Sequence, residues 1–152
     1  MRKLIVAAAA VAALAAPVAA TATTYTDTIA GIEIPPITST LGTFTGVAGG
    51  QLPGTWYAQI VHEPLSSGST VAVTGGTFVL QTIYGSTLDG AVTGGTVTVT
   101  NTGAGCTNQT FAVDATLTIG SFSGTLTHYR TRIFGRCVIY SASITGNATF
   151  TA

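Results

Sequence analysis

Charged residues are scarce in this chain, at 7% of 152 residues, and lysine is absent after Lys3. Beyond the N-terminal segment the cations are Arg130, Arg132 and Arg136. Nucleic acids are bound by rows of basic side chains that neutralise phosphates, and anionic membranes attract basic clusters. We therefore expect no nucleic-acid partner and no basic patch for a membrane surface.

Residues that commonly build catalytic or metal sites are equally sparse. The two histidines, His62 and His128, lie far apart in sequence, whereas a zinc site usually takes three or four protein ligands. No serine lies in the Gly-x-Ser-x-Gly elbow of hydrolases, and no glycine pair precedes a phosphate-binding helix. The sequence thus predicts no metal, no cofactor and no catalytic residues; a site of both histidines and a carboxylate is the open alternative.

The N-terminus has the layout of a secretory signal peptide. Arg2 and Lys3 precede the apolar run Leu4 to Ala16, and small residues follow, with cleavage expected after Ala20 or Ala22. The run is too short to cross a hydrocarbon core of roughly 30 Å as a helix, so a membrane anchor is the weaker alternative. We expect secretion by the general route, no membrane span in the mature chain, and a bacterial origin.

The mature chain lacks helical periodicity. Its apolar and polar residues instead alternate with period two, in segments that Gly and Pro residues separate. This pattern predicts an all-β fold, a small antiparallel β-barrel or alternatively a β-sandwich, of about 8–10 short strands. Residues 1–22 form the signal peptide, and residues 23–40 form an extended lead-in, rich in Thr and Pro, with an early strand near Ile29 to Ile34. Residues 41–152 form one β-domain.

An internal repeat supports the barrel. Val73 to Thr77 and Val92 to Thr96 share the sequence Val-Thr-Gly-Gly-Thr, and each continues into a β-rich stretch. A glycine pair within a strand pattern indicates a bulge or bend, which a sheet needs in order to coil and close.

Cysteine is limited to Cys106 and Cys137. An even pair in an exported chain predicts a disulfide, here with Cα atoms within about 7 Å. Their spacing differs from the Cys-x-x-Cys of exchange catalysts, which argues against a redox role.

Two turns give a register for the C-terminal strands. A Gly120-Ser121 turn places Val113 opposite His128, and a three-residue Phe134-Gly135-Arg136 turn places His128 opposite Ala142 and Arg130 opposite Tyr140. Because directly opposed residues share a face, His128, Arg130 and Arg132 are predicted to point inward beside Tyr140. The disulfide depends on the same register, so we expect both to hold or fail together.

Inward charge has three explanations. The four residues His128, Arg130, Arg132 and Tyr140 line a cavity for a small apolar or anionic ligand, or Arg130 forms a structural ion pair with Glu63 or Asp89. The third explanation is a bulge that shifts the register and turns the residues to solvent.

Two functions follow from these explanations. The first is a non-enzymatic secreted β-domain that acts by binding, or as a structural protein, at the cell surface or in the medium. The alternative is a small-ligand-binding barrel with an interior His/Arg clamp, of the kind an isomerase or cyclase requires. The partner is unknown at this stage.

Overall fold

The computed structural model describes residues 21–66 and 69–151. Its eight antiparallel strands form a closed barrel in which each strand pairs with its neighbours in the chain and β1 pairs with β8. The strands are β1 (Thr24–Glu33), β2 (Leu41–Gly50), β3 (Gly54–His62), β4 (Thr70–Thr82), β5 (Thr87–Asn101), β6 (Gln109–Leu117), β7 (Gly120–Ile133) and β8 (Arg136–Thr151). The predicted all-β barrel is confirmed. The predicted signal peptide lies outside the described residues as far as Ala20. None of the described segments is a helix with the length and apolarity of a membrane span.

The first strand belongs to the barrel although the sequence suggests an extended lead-in. β1 begins at Thr24, five residues before the expected strand, and hydrogen-bonds to β2 on one side and to β8 on the other. Its buried residues are Asp27, Ile29 and Glu33. Two of these three are acids, so apolar alternation, the usual signal of a half-buried strand, is absent here.

Glycine pairs bend β4 and β5 without interrupting them. Gly76 and Gly95 have φ of 143° and 130°, and a Cβ atom on either would collide with a backbone carbonyl of the adjacent strand. The pairing register shifts beside both pairs, between Val61 and His62 and between Val92 and Gly94. The bends expected from the repeat are confirmed, and β4 and β5 each continue through their glycine pair as one strand.

Apolar side chains fill the barrel. The rings of Trp56, Phe78 and Phe150 stack in series, with centroids 6.3 Å and 5.4 Å apart. The Trp56 indole N–H donates to the carbonyl oxygen of Val47 at 3.1 Å, which satisfies the one polar atom of that side chain. The interior is therefore a packed core rather than a lined channel.

Candidate functional site

The hairpin of β7 and β8 extends beyond the barrel. Pairing of β6 with β7 ends at His128, and pairing of β1 with β8 ends at Ser143. Residues 129–141 consequently pair only with each other, and we call this two-stranded projection the arm. Its turn consists of Phe134 and Gly135, whose positive φ angles of 49° and 78° are those of a type I′ hairpin turn.

The register within the arm differs from the expected one. His128 pairs with Ala142 as predicted, but the register shifts between Tyr129 and Arg130, and Tyr140 is the extra residue of the bulge. A one-residue slip moves side chains to the opposite face of a strand pair. Arg132 is exposed and Tyr140 is 65% exposed, while Arg130 is half-buried.

The predicted inward stripe is therefore wrong for Arg130, Arg132 and Tyr140. The two arginines lie on the part of β7 that extends past the barrel, and the bulge on β8 displaces Tyr140. Only His128 of the four points into the barrel, where it is buried. The bulge of the third explanation is thus present, but it does not turn His128 to solvent. Whether the four residues bind a ligand stays a prediction.

The hairpin between β6 and β7 also differs from its predicted form. Leu117 pairs with Gly120, so Thr118 and Ile119 form the turn and His128 lies opposite Gln109 rather than Val113. This slip is an even number of residues and therefore leaves every side chain on its predicted face. Gly120 is needed because a Cβ atom there would collide with the carbonyl of Thr149 on β8.

A buried pair of a histidine and a carboxylate is present where one explanation had an ion pair of Arg130. His128 Nε2 lies 2.7 Å from Glu33 Oε2, and both side chains are less than 10% exposed. The imidazole packs edge-on against the Phe111 ring at 4.9 Å between centroids. Glu63 and Asp89, the acids considered from the sequence, are exposed. Glu33 could have been found by counting in twos from Ile29, which places it on the inward face.

His128 Nδ1 is buried without a hydrogen-bond partner. A neutral imidazole that donates from Nε2 to Glu33 leaves only a lone pair unsatisfied, whereas a proton on Nδ1 would leave a buried donor unpaired. The geometry thus fits the neutral Nε2–H tautomer. The hydrogen-bonded Glu33–His128 pair thus lies at the arm end of the hydrophobic core.

The space around this pair is small. A cavity of about 30 Å³ is lined by Glu33, His62 and His128 together with apolar residues, and His62 Nδ1 lies 2.7 Å from the carbonyl oxygen of Glu63. Within residues 21–66 and 69–151, no three His, Cys, Asp or Glu side chains come together as a metal site. This cavity has room for a water molecule.

A second cavity of about 30 Å³ lies deeper in the barrel and is lined by apolar side chains such as Trp56 and Phe78. Pockets for small organic ligands usually enclose roughly 300–1,000 Å³. Neither of the two cavities that the described residues enclose in the barrel approaches that size.

The arm is fixed to the barrel by a neighbouring loop. Cys106, in the loop between β5 and β6, forms a disulfide with Cys137 on β8, with Cα atoms 5.6 Å apart. Arg130 Nη1 donates to the carbonyl oxygens of Thr102 at 3.2 Å and Gly103 at 3.1 Å. The predicted bridge is confirmed although the inward stripe is not. The bridge requires only that both cysteines lie at the arm end of the sheet, whereas the stripe requires the register that the bulge changes.

The exposed part of the arm combines positive charge with apolar groups. Phe134 at its tip is fully exposed, Ile133 is 49% exposed, and Arg132 and Arg136 flank them in solvent. In the described part of the chain the one contact between a basic and an acidic side chain is His128–Glu33, so neither arginine contacts a carboxylate. The three arginines that follow Lys3 in the sequence thus lie on one hairpin, with two of them exposed at its tip.

The arm is the candidate functional site because its exposed arginines and apolar side chains have no partner among the described residues, whereas buried Glu33 and His128 pair with each other. It presents a cationic and aromatic tip to solvent. Comparison with protein-family models, with curated proteins and with solved structures finds no match to this chain.

Proposed function

We propose that this protein is an exported, non-enzymatic β-barrel that acts by binding through its outer surface, with the arm as the contacting element. The observation that carries the proposal is the filled interior, whose two cavities measure about 30 Å³ each. A barrel that carried or transformed a small molecule would need roughly ten times that volume.

The polar groups of the molecule are arranged in agreement with this proposal. The buried His128 is matched to Glu33 at 2.7 Å, while Arg132 and Arg136 have no acidic partner among the described residues. A buried, hydrogen-bonded pair contributes to the fold, whereas exposed unpaired cations beside exposed aromatics are typical of binding surfaces. This division supports a binding role for the outer surface of the barrel.

Export is part of the proposal. A disulfide persists in oxidising compartments, and the Cys106–Cys137 bridge agrees with the predicted signal peptide. The bridge holds the arm against the barrel, which limits the conformational entropy that binding would otherwise cost.

The rival function is a small-ligand barrel, and one observation favours it. His128 Nδ1 is a buried polar atom without a partner beside a cavity. A polar ligand that entered there would have to displace the loops over the arm end of the barrel. The two functions therefore differ in whether the interior takes up a guest.

Xenon binding followed by NMR tests this difference. We expect the native protein to show no saturable xenon site, because its cavities are too small. Ile60 lines both cavities, so Ile60→Ala merges them into a larger apolar space, and that variant should bind xenon as the positive control.

Circular dichroism checks that the Ile60→Ala variant folds, and Ile60→Val replaces it if it does not. Turnover of any substrate by the native protein, or saturable uptake of an apolar or anionic guest that His128→Phe abolishes, would overturn the proposed function in favour of the ligand-binding barrel.

A further inference from the structure

We propose that the partner of the arm is the surface of an anionic lipid bilayer, with Phe134 and Ile133 inserted among the headgroups and Arg132 and Arg136 on lipid phosphates. This inference rests on the proposed function and names the partner of the same site.

Charge separation within the molecule supports an anionic partner. The three arginines that follow Lys3 in the sequence lie in one seven-residue span of the arm, from Arg130 to Arg136. The arm contains no Asp or Glu. The exposed acids lie outside the arm: Asp89 at the opposite end of the barrel, Asp114 within β6, and Glu63 just after β3 at the arm end. Such a distribution turns the arm toward a negatively charged surface during approach.

The apolar tip favours a lipid over a soluble polyanion as the partner of the arm. Phe134 is fully exposed and Ile133 half exposed at the turn of the arm. A sulfated or phosphorylated polysaccharide would pair with the arginines and gain little from these side chains. A bilayer interface accepts both groups, since aromatic and aliphatic side chains enter the boundary between headgroups and acyl chains.

The dimensions of the arm suit insertion. Five residue pairs, from Tyr129–Ser141 to Ile133–Arg136, extend past the barrel, which corresponds to roughly 17 Å of strand. The loop between β5 and β6 accompanies the arm as far as Cys137. Interfacial elements penetrate about 5–10 Å, so the tip from Ile133 to Arg136 reaches the headgroups ahead of that loop. Arg130 is held by the Thr102 and Gly103 carbonyls, which leaves Arg132 and Arg136 for phosphates.

The open strand edges of the arm suggest an alternative to lipid binding, namely a dimer in which the arms of two copies pair. Each arm strand has one edge without a partner strand among the described residues. Charged residues on an exposed edge hinder such pairing. Pairing of two arms would bring the exposed arginines of one copy close to those of the other. The arginines therefore disfavour an arm-to-arm dimer.

Vesicle binding tests the proposal directly. Protein that begins at Thr21 contains the whole barrel and is sedimented with vesicles of phosphatidylcholine alone or mixed with phosphatidylglycerol. We expect binding to the mixed vesicles only, weakened by salt, with about fivefold loss for Arg132→Gln or Arg136→Gln. Phe134→Ser should lose about tenfold.

Tyr84→Ser is the matched control, because Tyr84 is 72% exposed on the turn between β4 and β5, far from the cations in the fold. It should bind as the native protein does. Equal losses for Tyr84→Ser and Phe134→Ser would overturn the assignment of the arm as the inserted element.

The depth of insertion into the bilayer is measured by fluorescence of a tryptophan placed at position 134 or at position 84. Phe134→Trp should be quenched by brominated phosphatidylglycerol and Tyr84→Trp should not, with buried Trp56 as constant background. Dextran sulfate binding that Phe134→Ser leaves intact, without quenching at position 134, would assign the arm to polysaccharide and overturn the lipid proposal. A salt-sensitive dimer would overturn it likewise. Neither result affects the xenon experiment, which tests the proposed function separately.

Discussion

In the barrel body, Phe150 is fully buried and stacks on Phe78 with 5.4 Å between ring centroids, whereas in the arm Phe134 is completely exposed. The body is closed, and each of its strands has two neighbours. The arm strands pair only with each other. The same residue type therefore stabilises one region by burial and lies unpartnered in the other, which separates the part that folds the molecule from the part available to a partner.

Polar residues show the same contrast. In the body, Glu33 pairs with His128, and buried Asp27 accepts a hydrogen bond from the backbone N–H of Leu52 at 2.9 Å. In the arm, Arg132 and Arg136 are exposed. Buried polar groups need partners for stability, but stability does not require exposed arginines beside an exposed phenylalanine. Binding gives these groups a reason to be there.

The largest effect that would sharpen this comparison comes from the glycines that bend the body. Gly95→Ala should lower the free energy of unfolding by about 4 kcal/mol, because it combines a positive φ with a collision against the Asp114 carbonyl. Gly94→Ala is the control, since a Cβ atom there meets nothing within 4 Å, and it should change stability by less than about 1 kcal/mol. Urea unfolding measures both; equal effects would show that the bend is not rigid.

Removal of the disulfide tests how the arm depends on the body. Cys106→Ser with Cys137→Ser should cost about 3.7 kcal/mol, the entropy of a loop closed over a separation of 31 residues. We expect far-UV circular dichroism of the barrel to persist while amide exchange accelerates in residues 129–141. Native protein treated with a reductant is the control and should behave identically. Collapse of the barrel spectrum would mean that the bridge supports the body.

Much of the body could be predicted from the sequence because it obeys simple periodicities. Alternation identifies the inward residues of β6, β7 and β8, and the repeated glycine pairs indicate the bends. An error of four residues in the β6–β7 register still leaves His128 inside, since an even slip preserves the face. Packing requires only the correct face, so that prediction tolerates a wrong turn.

The arm could not be predicted in the same way. Its bulge at Tyr140 leaves no apolar pattern to read, because both faces of the arm are exposed and neither selects a register. Glu33 was missed for the opposite reason. It is an acid at a buried position of β1, where composition suggests solvent, and its partner His128 is 95 residues away in the chain. Sequence patterns report burial of apolar groups, and these two features depend on other interactions.

The Glu33–His128 pair provides the next test, at the junction of body and arm. Glu33→Leu should cost about 2 kcal/mol, because both ring nitrogens of buried His128 would then lack partners. Glu33→Gln keeps an acceptor and should cost about half as much. The double variant Glu33→Leu with His128→Phe should recover most of the loss, since no buried polar group remains. Additive losses in urea unfolding would show that the two residues do not act as a pair.

The smallest stability effect is expected at the tip of the arm, and it bears most directly on the comparison. Phe134→Ser and Arg136→Gln should leave the urea unfolding midpoint unchanged, because both side chains are exposed and contact no core residue. Phe78→Ser is the contrasting variant in the body and should shift the midpoint strongly, since Phe78 is buried between Trp56 and Phe150. If Phe134→Ser also destabilised the protein, the tip would be a structural element, and weaker vesicle binding by that variant would reflect lost folding rather than a lost contact. An unchanged midpoint with lost vesicle binding assigns the exposed phenylalanine to recognition.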